Sequence, residues 1–397
     1  AASALAGPAP HGVFLRATAT GFPVARPRHD LRYRWSFSDP GAWARLSPDG
    51  PCGRDRDRAY GFDTAHAFAA PGTYTVTCEV TDGVTTVSDT IAITVSDDAG
   101  HHAPGDIHVV SQASDFTGAP AGAVQHTSFG AARAAAFGAS APVCILLRAG
   151  ETFAEAGTFE FTEFQFAGGV KIGRFGAGAR PVFDMSAVSM VLRFKDAASA
   201  PVILDGLRFE GGYDAATGEG GSAGNLNVNN WDGPIHIHDC EFDGLSIPVY
   251  PIFSDAELIL SSSEITNWSN YGLLVDNPDR VGLVGNYIHQ KADASGGPGG
   301  KSADANGRLW ANHGPMRFTG CNDSATVIRQ NHLFSNQGWQ NADSPNHAQE
   351  CLRWGTEDAQ DATLVVERNT MENGYRICQI GPNLTQAVGG PAGILFE

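Results

Sequence analysis

The chain has 397 residues, 42% of them hydrophobic, with 48 glycines and a formal net charge of −17. That apolar content sustains a buried core and excludes intrinsic disorder, and the glycines have no G-X-Y period, which excludes collagen. No apolar run of about 18 residues occurs, which excludes a membrane-spanning helix. The length predicts two or three domains, or one small domain followed by an elongated repeat. Residues 1–95 are charge-neutral, so the acidic excess lies entirely downstream. This argues against nucleic acid as a partner, because phosphates demand clustered positive charge. Such acidity suits a secreted protein in salty or calcium-containing water, and it serves solubility equally well. The small residues Ala1-Ala-Ser-Ala-Leu-Ala-Gly7 have the character that surrounds a signal-cleavage site, so a secreted or cell-surface location is expected. Seven cysteines without a CxxC make neither a disulfide scaffold nor a structural zinc site; Cys52 and Cys78 are one candidate bridge.

Residues 1–10 read as a tail, and 11–95 read as short strands between turns. Leu31 to Phe37, Thr73 to Val80 and Val84 to Val95 alternate, separated by Asp39-Pro-Gly41, Pro71-Gly72 and Asp82-Gly83. This spacing predicts a small all-β sandwich with Trp35 in its core. Trp35-Ser-Phe37-Ser-Asp39-Pro-Gly41, His66-Ala-Phe68-Ala-Ala-Pro71-Gly72-Thr-Tyr74-Thr-Val76 and Thr81-Asp82-Gly83 resemble the motifs of a PKD-type immunoglobulin-like domain. Ser38 and Pro40, where glycines are usual, and the loop Arg54 to Arg58 depart from its pattern. The resemblance implies a spacer or binding module of a secreted protein. Residues 96–105 read as a linker, with His101 and His102 exposed to solvent.

From residue 106 the chain repeats. Leu204-Asp-Gly-Leu207-Arg-Phe209 recurs as Ile237 to Phe242, Leu260 to Ile265, Leu283 to Ile288, Ile328 to Leu333 and Val366 to Met371. Cys240 and Ser263 are 23 residues apart, as are Ser263 and Asn286; the later gaps of 45 and 38 mark insertions at one place in the coil. A period of this length with three short strands fits a right-handed parallel β-helix over 106–397, and no 3.6-residue period runs through it. The column Cys240, Ser263, Asn286, Asn331, Asn369 is expected to stack as a hydrogen-bonded ladder. Ala131 to Phe137 predicts a short helix capping the open end, and Val143 to Phe153 the first rung. With the cap, the I-L-x-R-A-G-E-T-F rung and the ladder, this part resembles the pectate-lyase-like β-helix superfamily. The predicted class is therefore all-β: a small immunoglobulin-like β-sandwich plus a right-handed parallel β-helix. The chain stops at Gly393 to Glu397 in what reads as a strand, and more protein is expected to follow.

Aligning the repeats places Arg317, Arg353 and Arg376 at one outward position on successive coils, about 4.8 Å apart. Two readings of this column stand: pairs with acidic neighbours, or a row of clamps for the carboxylates or sulfates of an acidic polysaccharide. The insertions 211–224, 291–313 and 337–348 precede such strands and should wall one groove. Trp310, Trp339, Tyr271 and Tyr375 are candidate substrate contacts there. Resemblance to polysaccharide lyases of this fold implies β-elimination on a uronate. Calcium, Arg or Lys neutralises the carboxylate, a base takes the C5 proton, and O4 leaves. The alginate- and chondroitin-type members pair a Lys with an Arg on neighbouring coils. The Arg would be Arg317 or Arg353, and the Lys would be Lys291 or Lys301, both on an insertion rather than a strand. His313 is a further base candidate. Asp276, Asn277 and Glu350 are oxygen donors suited to calcium, or partners of the arginines. Hydrolysis would need two carboxylates on one face, with Asp255, Asp276 and Glu350 as candidates, yet the N-x-D, D-D, G-H-G and R-x-K set of polygalacturonases is absent. A non-catalytic adhesin, matrix or tailspike-like rod that binds polysaccharide is the third reading.

Overall fold

The structure is a computed structural model. It describes the chain except residues 42, 44–54, 163–165, 187–189, 198–199, 213–225, 246, 253–256, 269–270, 277, 290–301, 304–308, 311–315, 320, 322–324, 335–349, 357–361, 373–375, 383–392 and 397. Two β units make up the described residues. The first is a sandwich of a five-stranded sheet, in the order Ala6–Pro8, Thr86–Ser96, Gly72–Thr81, Arg32–Ser36 and Arg58–Tyr60, over the antiparallel pair His11–Arg16 and Asp63–Phe68. Trp35 is buried in its core and donates Nε1–H to the Gly61 carbonyl at 2.8 Å. Residues 1–10 are not a free tail, because Ala6–Pro8 pairs in parallel with the last strand of the sandwich. Cys78 is a free, buried thiol that burial pushes up to about 12; Cys52 lies outside the described residues.

The second unit winds through three parallel sheets in turn, one strand per coil in each, which makes it a parallel β-helix. Sheet 1 runs from Ile107–Val110 and Val143–Arg148 to Gly393–Phe396; sheet 2 runs from Thr152–Phe153 to Thr370–Glu372; sheet 3 runs from Gly157–Thr162 to Arg376–Pro382. Side chains alternate about each strand, so one parity stacks inside the coil. On sheet 2 this row is Phe153, Phe183, Phe209, Phe242, Ile265, Ile288, Leu333 and Met371 in register. The Phe209 and Phe242 rings stack at 4.9 Å. The capping helix covers Phe129–Ala135, two residues earlier than the sequence suggests, because Ser128 caps it and Glu155 accepts from the Phe129 and Gly130 amides. It places Phe129 against Phe161 and Phe183 over the open end.

The ladder stands at the turn from sheet 1 to sheet 2. The residue before each rung is left-handed: Asp239, Ser262, Gly285, Gln330 and Arg368 have φ of 51, 49, 64, 56 and 50°. That turn aims each following side chain along the axis. Asn331 Oδ1 accepts from the Asn286 amide and its Nδ2, both at 2.9 Å, and Asn331 Nδ2 donates to the Leu283 carbonyl at 2.9 Å and to Asn369 Oδ1 at 3.0 Å. Asn331 is fully buried, so Asn331→Ala orphans several groups at about 1–3 kcal/mol each. Loss of about 3 kcal/mol in urea denaturation is expected; an unchanged midpoint would remove the ladder from the account of stability.

The sandwich is docked on the outer face of sheet 1 rather than tethered to it. Its pair His11–Arg16 and Asp63–Phe68 lies between the five-stranded sheet and the coil, and every residue of Asp63–Phe68 is buried. Val284, Ala325, Val327 and Val365 of the coil belong to the sandwich core. At Gly282 a Cβ would come within 2.4 Å of the Ala65 Cβ, so the approach depends on glycine. Polar bonds cross throughout: Trp43 Nε1 to Gln330 Oε1 at 2.6 Å, Thr363 Oγ1 to Asp63 Oδ2 at 2.7 Å, and the Tyr60 amide to Glu367 Oε2 at 3.0 Å. The linker is packed down as well: Asp98–His101 forms a helical turn, His102 is buried rather than exposed, and Asp98 accepts from buried Lys171 at 2.7 Å. The sequence suggested exposure because nothing nearby pairs with these histidines; the cover comes from residues far along the chain.

Candidate functional site on the third sheet

Residues 211–225, 290–315 and 335–349 all connect a sheet 2 strand to a sheet 3 strand, so the three insertions leave the coil at one corner. Ser302 pairs antiparallel with Trp310 within one of them. Beside that corner, Leu273–Asp276 and Met316–Thr319 alternate as the pleat requires. Leu273, Val275, Met316 and Phe318 are buried, while Leu274, Asp276, Arg317 and Thr319 are partly exposed on the outer face.

Arg317 is Cα-paired with Leu274 on one side and Arg353 on the other, so two arginines of the expected column are in register. Arg376 is not the third. Gln379 is opposite Arg353, and Arg376 is opposite Glu350. Two apolar alternations compete in this last strand, and the pairing that extends Leu352 and Trp354 with Cys378 and Ile380 shifts it by three residues.

The Arg317 guanidinium donates through Nη1 to the Tyr271 hydroxyl, and its carbon lies 5.4 Å from the centre of the Tyr271 ring. Its Nε–H is buried and has no acceptor among the described residues. Tyr271 is only 6% exposed, so it holds Arg317 rather than presenting a free stacking face. Asp276 Oδ1 accepts from Thr319 Oγ1 at 2.8 Å, a contact with no signal in the repeat pattern. Asp276 therefore pairs with a hydroxyl and not with Arg317.

His313, Lys291, Lys301, Trp339, Tyr375, Asn277 and Asp255 lie outside the described residues. At Arg353, Arg376, Glu350 and Trp310 the strand register is described and the side chain is not. Asp276 is thus the one described side chain of the calcium set. Elsewhere, Asp98, His102 and Cys144 bring their ligand atoms within 4.8 Å of one another. The Lys171 ammonium sits on Asp98, and burial pushes the Cys144 thiol up.

The sandwich supplies the decisive comparison. Its Asp39 and His66, from the Trp35 to Asp39 and His66 to Gly72 segments, meet at 2.9 Å, and the family profile of the PKD domain matches residues 4–95. Residues 4–95 are a PKD domain. No curated protein and no solved structure matches the chain. The PKD domain is therefore the part with known relatives, and it turns its signature residues inward to the coil: Arg329 of sheet 1 donates to His66 Nδ1 at 3.0 Å. Among the described residues no helix is long and apolar enough to cross a membrane.

Proposed function

We propose that this is a secreted carbohydrate-active protein whose coil acts on an acidic, uronate-containing polysaccharide at the insertion corner of sheet 3, cleaving it by β-elimination. The observation that carries the reading is Arg317: a guanidinium held by Tyr271, partly exposed, in register with Arg353, with an Nε–H that has no acceptor among the described residues. A uronate carboxylate is the complementary acceptor. Binding it to Arg317 spreads its charge and makes the C5 proton more acidic, which is what elimination requires. A base then takes that proton, the C4–C5 double bond forms, and the C4–O4 bond breaks with the electron pair leaving on O4. The base then returns a proton to the leaving oxygen. Tyr271, whose hydroxyl contacts Arg317, is the described group placed to carry that proton. His313, Lys291 and Lys301 are the alternatives on the adjoining insertion.

Ultraviolet absorbance of the unsaturated product, recorded over a panel of polyuronates and sulfated uronans with and without calcium, tests the reading. One responding substrate is expected, with Arg317→Ala lowering the rate by about 10²–10³-fold. Tyr271→Phe separates the base candidates, because it keeps the ring under Arg317 and removes the hydroxyl. A flat trace across the panel would overturn elimination. Binding without catalysis is the second reading, and a separate cluster of arginines on the PKD domain favours it.

A further inference from the structure

In a chain with a net charge of −17, an arginine without a carboxylate partner stands out. Most described arginines have such a partner: Arg16 with Asp63, Arg56 with Asp39, Arg180 with Asp239, Arg208 with Glu241. Arg28, Arg32 and Arg368 have none among the described residues, and Arg34 is only 4.0 Å from Glu79. Arg32, Arg34 and Arg368 line one cleft and Arg28 lines another, with Tyr33 bordering both. Two adjoining clefts are separated by Tyr33. One, of about 460 Å³, is lined by Arg16, Arg26, Arg28, His29 and Phe62; the other, of about 810 Å³, by Arg32, Arg34, Tyr60, Glu79 and Arg368. Arg28, Arg32 and Arg34 belong to the PKD domain, whereas Arg368 belongs to the coil. Arg368 is set there by docking: it follows Glu367, whose carboxylate accepts from the Tyr60 amide, and its guanidinium covers the Tyr60 ring at 4.8 Å.

We infer that this composite basic face, carried by Arg28, Arg32 and Arg368, binds a stretch of anionic polysaccharide through its carboxylate or sulfate groups. The guanidinium fork matches both oxyanions. The paired clefts suit an extended chain rather than a single small anion. The aromatic residues decide against single-stranded nucleic acid, which needs open ring faces on which bases stack. Tyr33 and Phe62 are buried, Arg28 lies 5.6 Å over the Phe62 ring, and Arg368 covers Tyr60, so these three rings offer bases no stacking platform and only the single exposed His29 ring remains among the described lining residues. The inference shares its ligand class with the proposed function but not its site.

The test is isothermal titration of the full chain at low salt with polygalacturonate, alginate and dextran sulfate, so that carboxylate and sulfate are separate arms. Binding that weakens steeply with salt is expected, reduced at least tenfold in the Arg28→Glu/Arg32→Glu double variant. Arg368→Ala should lower affinity without touching the PKD domain, and circular dichroism confirms that each variant is folded. The inference is overturned if neither anion class binds, if the double variant binds like the parent, or if single-stranded DNA outcompetes the polysaccharide. Elimination read on the same samples keeps the two proposals apart, since bound polymer with no unsaturated product sinks the lyase reading and leaves this face standing.

Discussion

Replacing Arg329 with methionine is expected to cost roughly 3–5 kcal/mol of folding stability, the range for breaking a buried charged network by removing one partner. Arg329 is fully buried between the coil and the PKD domain. It donates to the Arg58 carbonyl at 2.8 Å, the Ala65 carbonyl at 3.1 Å and His66 Nδ1 at 3.0 Å. Its guanidinium also lies 5.1 Å from the Phe37 ring and 5.7 Å from the Trp43 ring. Burial lowers its pKa to about 10, which leaves it protonated at neutral pH, and the buried Glu367 carboxylate opposes that shift. Methionine fills similar volume but strands three acceptors and removes the positive charge that the buried Glu367 carboxylate attracts. Arg329→Lys should recover little, because one ammonium cannot span the fork. Urea denaturation followed by tryptophan fluorescence reads both variants. Near-parental stability in Arg329→Met would show that the PKD domain is held by apolar contact alone.

Acidification is expected to loosen the same junction. Burial lowers His66 to about 4, and it lowers His11 to about 4 and His236 to about 3. All three lie at the interface. His66 Nδ1 accepts from Arg329, so its Nε2–H is the donor to Asp39, and the ring stacks on Phe37 at 4.1 Å. Its Asp39 bond raises the pKa, while Arg329 and Arg56 lower it. His11 and His236 stand edge to face at 6.1 Å, and neither Nε2 has a partner. The unfolded chain takes up these protons near pH 6.5 while the folded protein does not. Stability is therefore fully present above that pH and falls as pH drops toward about 4, by up to about 3 kcal/mol for a single histidine. His11 and His236 titrate as a coupled pair, and charging either repels the other. Glu257 and Asp205, raised by burial, take up protons more readily when folded and offset part of the loss. The urea midpoint should drop clearly between about pH 7 and about pH 5, and His236→Gln should flatten that drop. Equal midpoints at both values would remove the histidines from the junction's energetics.

The sequence by itself determined the two architectures. Turn chemistry and alternation located the sandwich, and the recurrence from Cys240 to Asn369 located the coil, because each rests on a local rule repeated many times. The same recurrence located the insertion corner and the Arg317–Arg353 pair. It failed for Arg376, since alternation leaves two phases open and only backbone pairing chooses between them. The docking was signalled but not specified. Leu258-Ile-Leu260, Val281 to Val284 and Leu364-Val-Val366 are apolar on both parities, which says that both faces are covered but not by what. Arg329 gave no signal: burying a guanidinium depends on acceptors at residues 58, 65 and 66, more than 260 positions away. The basic face of Arg28, Arg32 and Arg368 has the same origin. Composition showed residues 1–95 as neutral, and only folding separated their unpaired arginines from their carboxylates and set a coil residue beside them. Long-range charge partners are fixed by tertiary packing, because no local spacing rule encodes them.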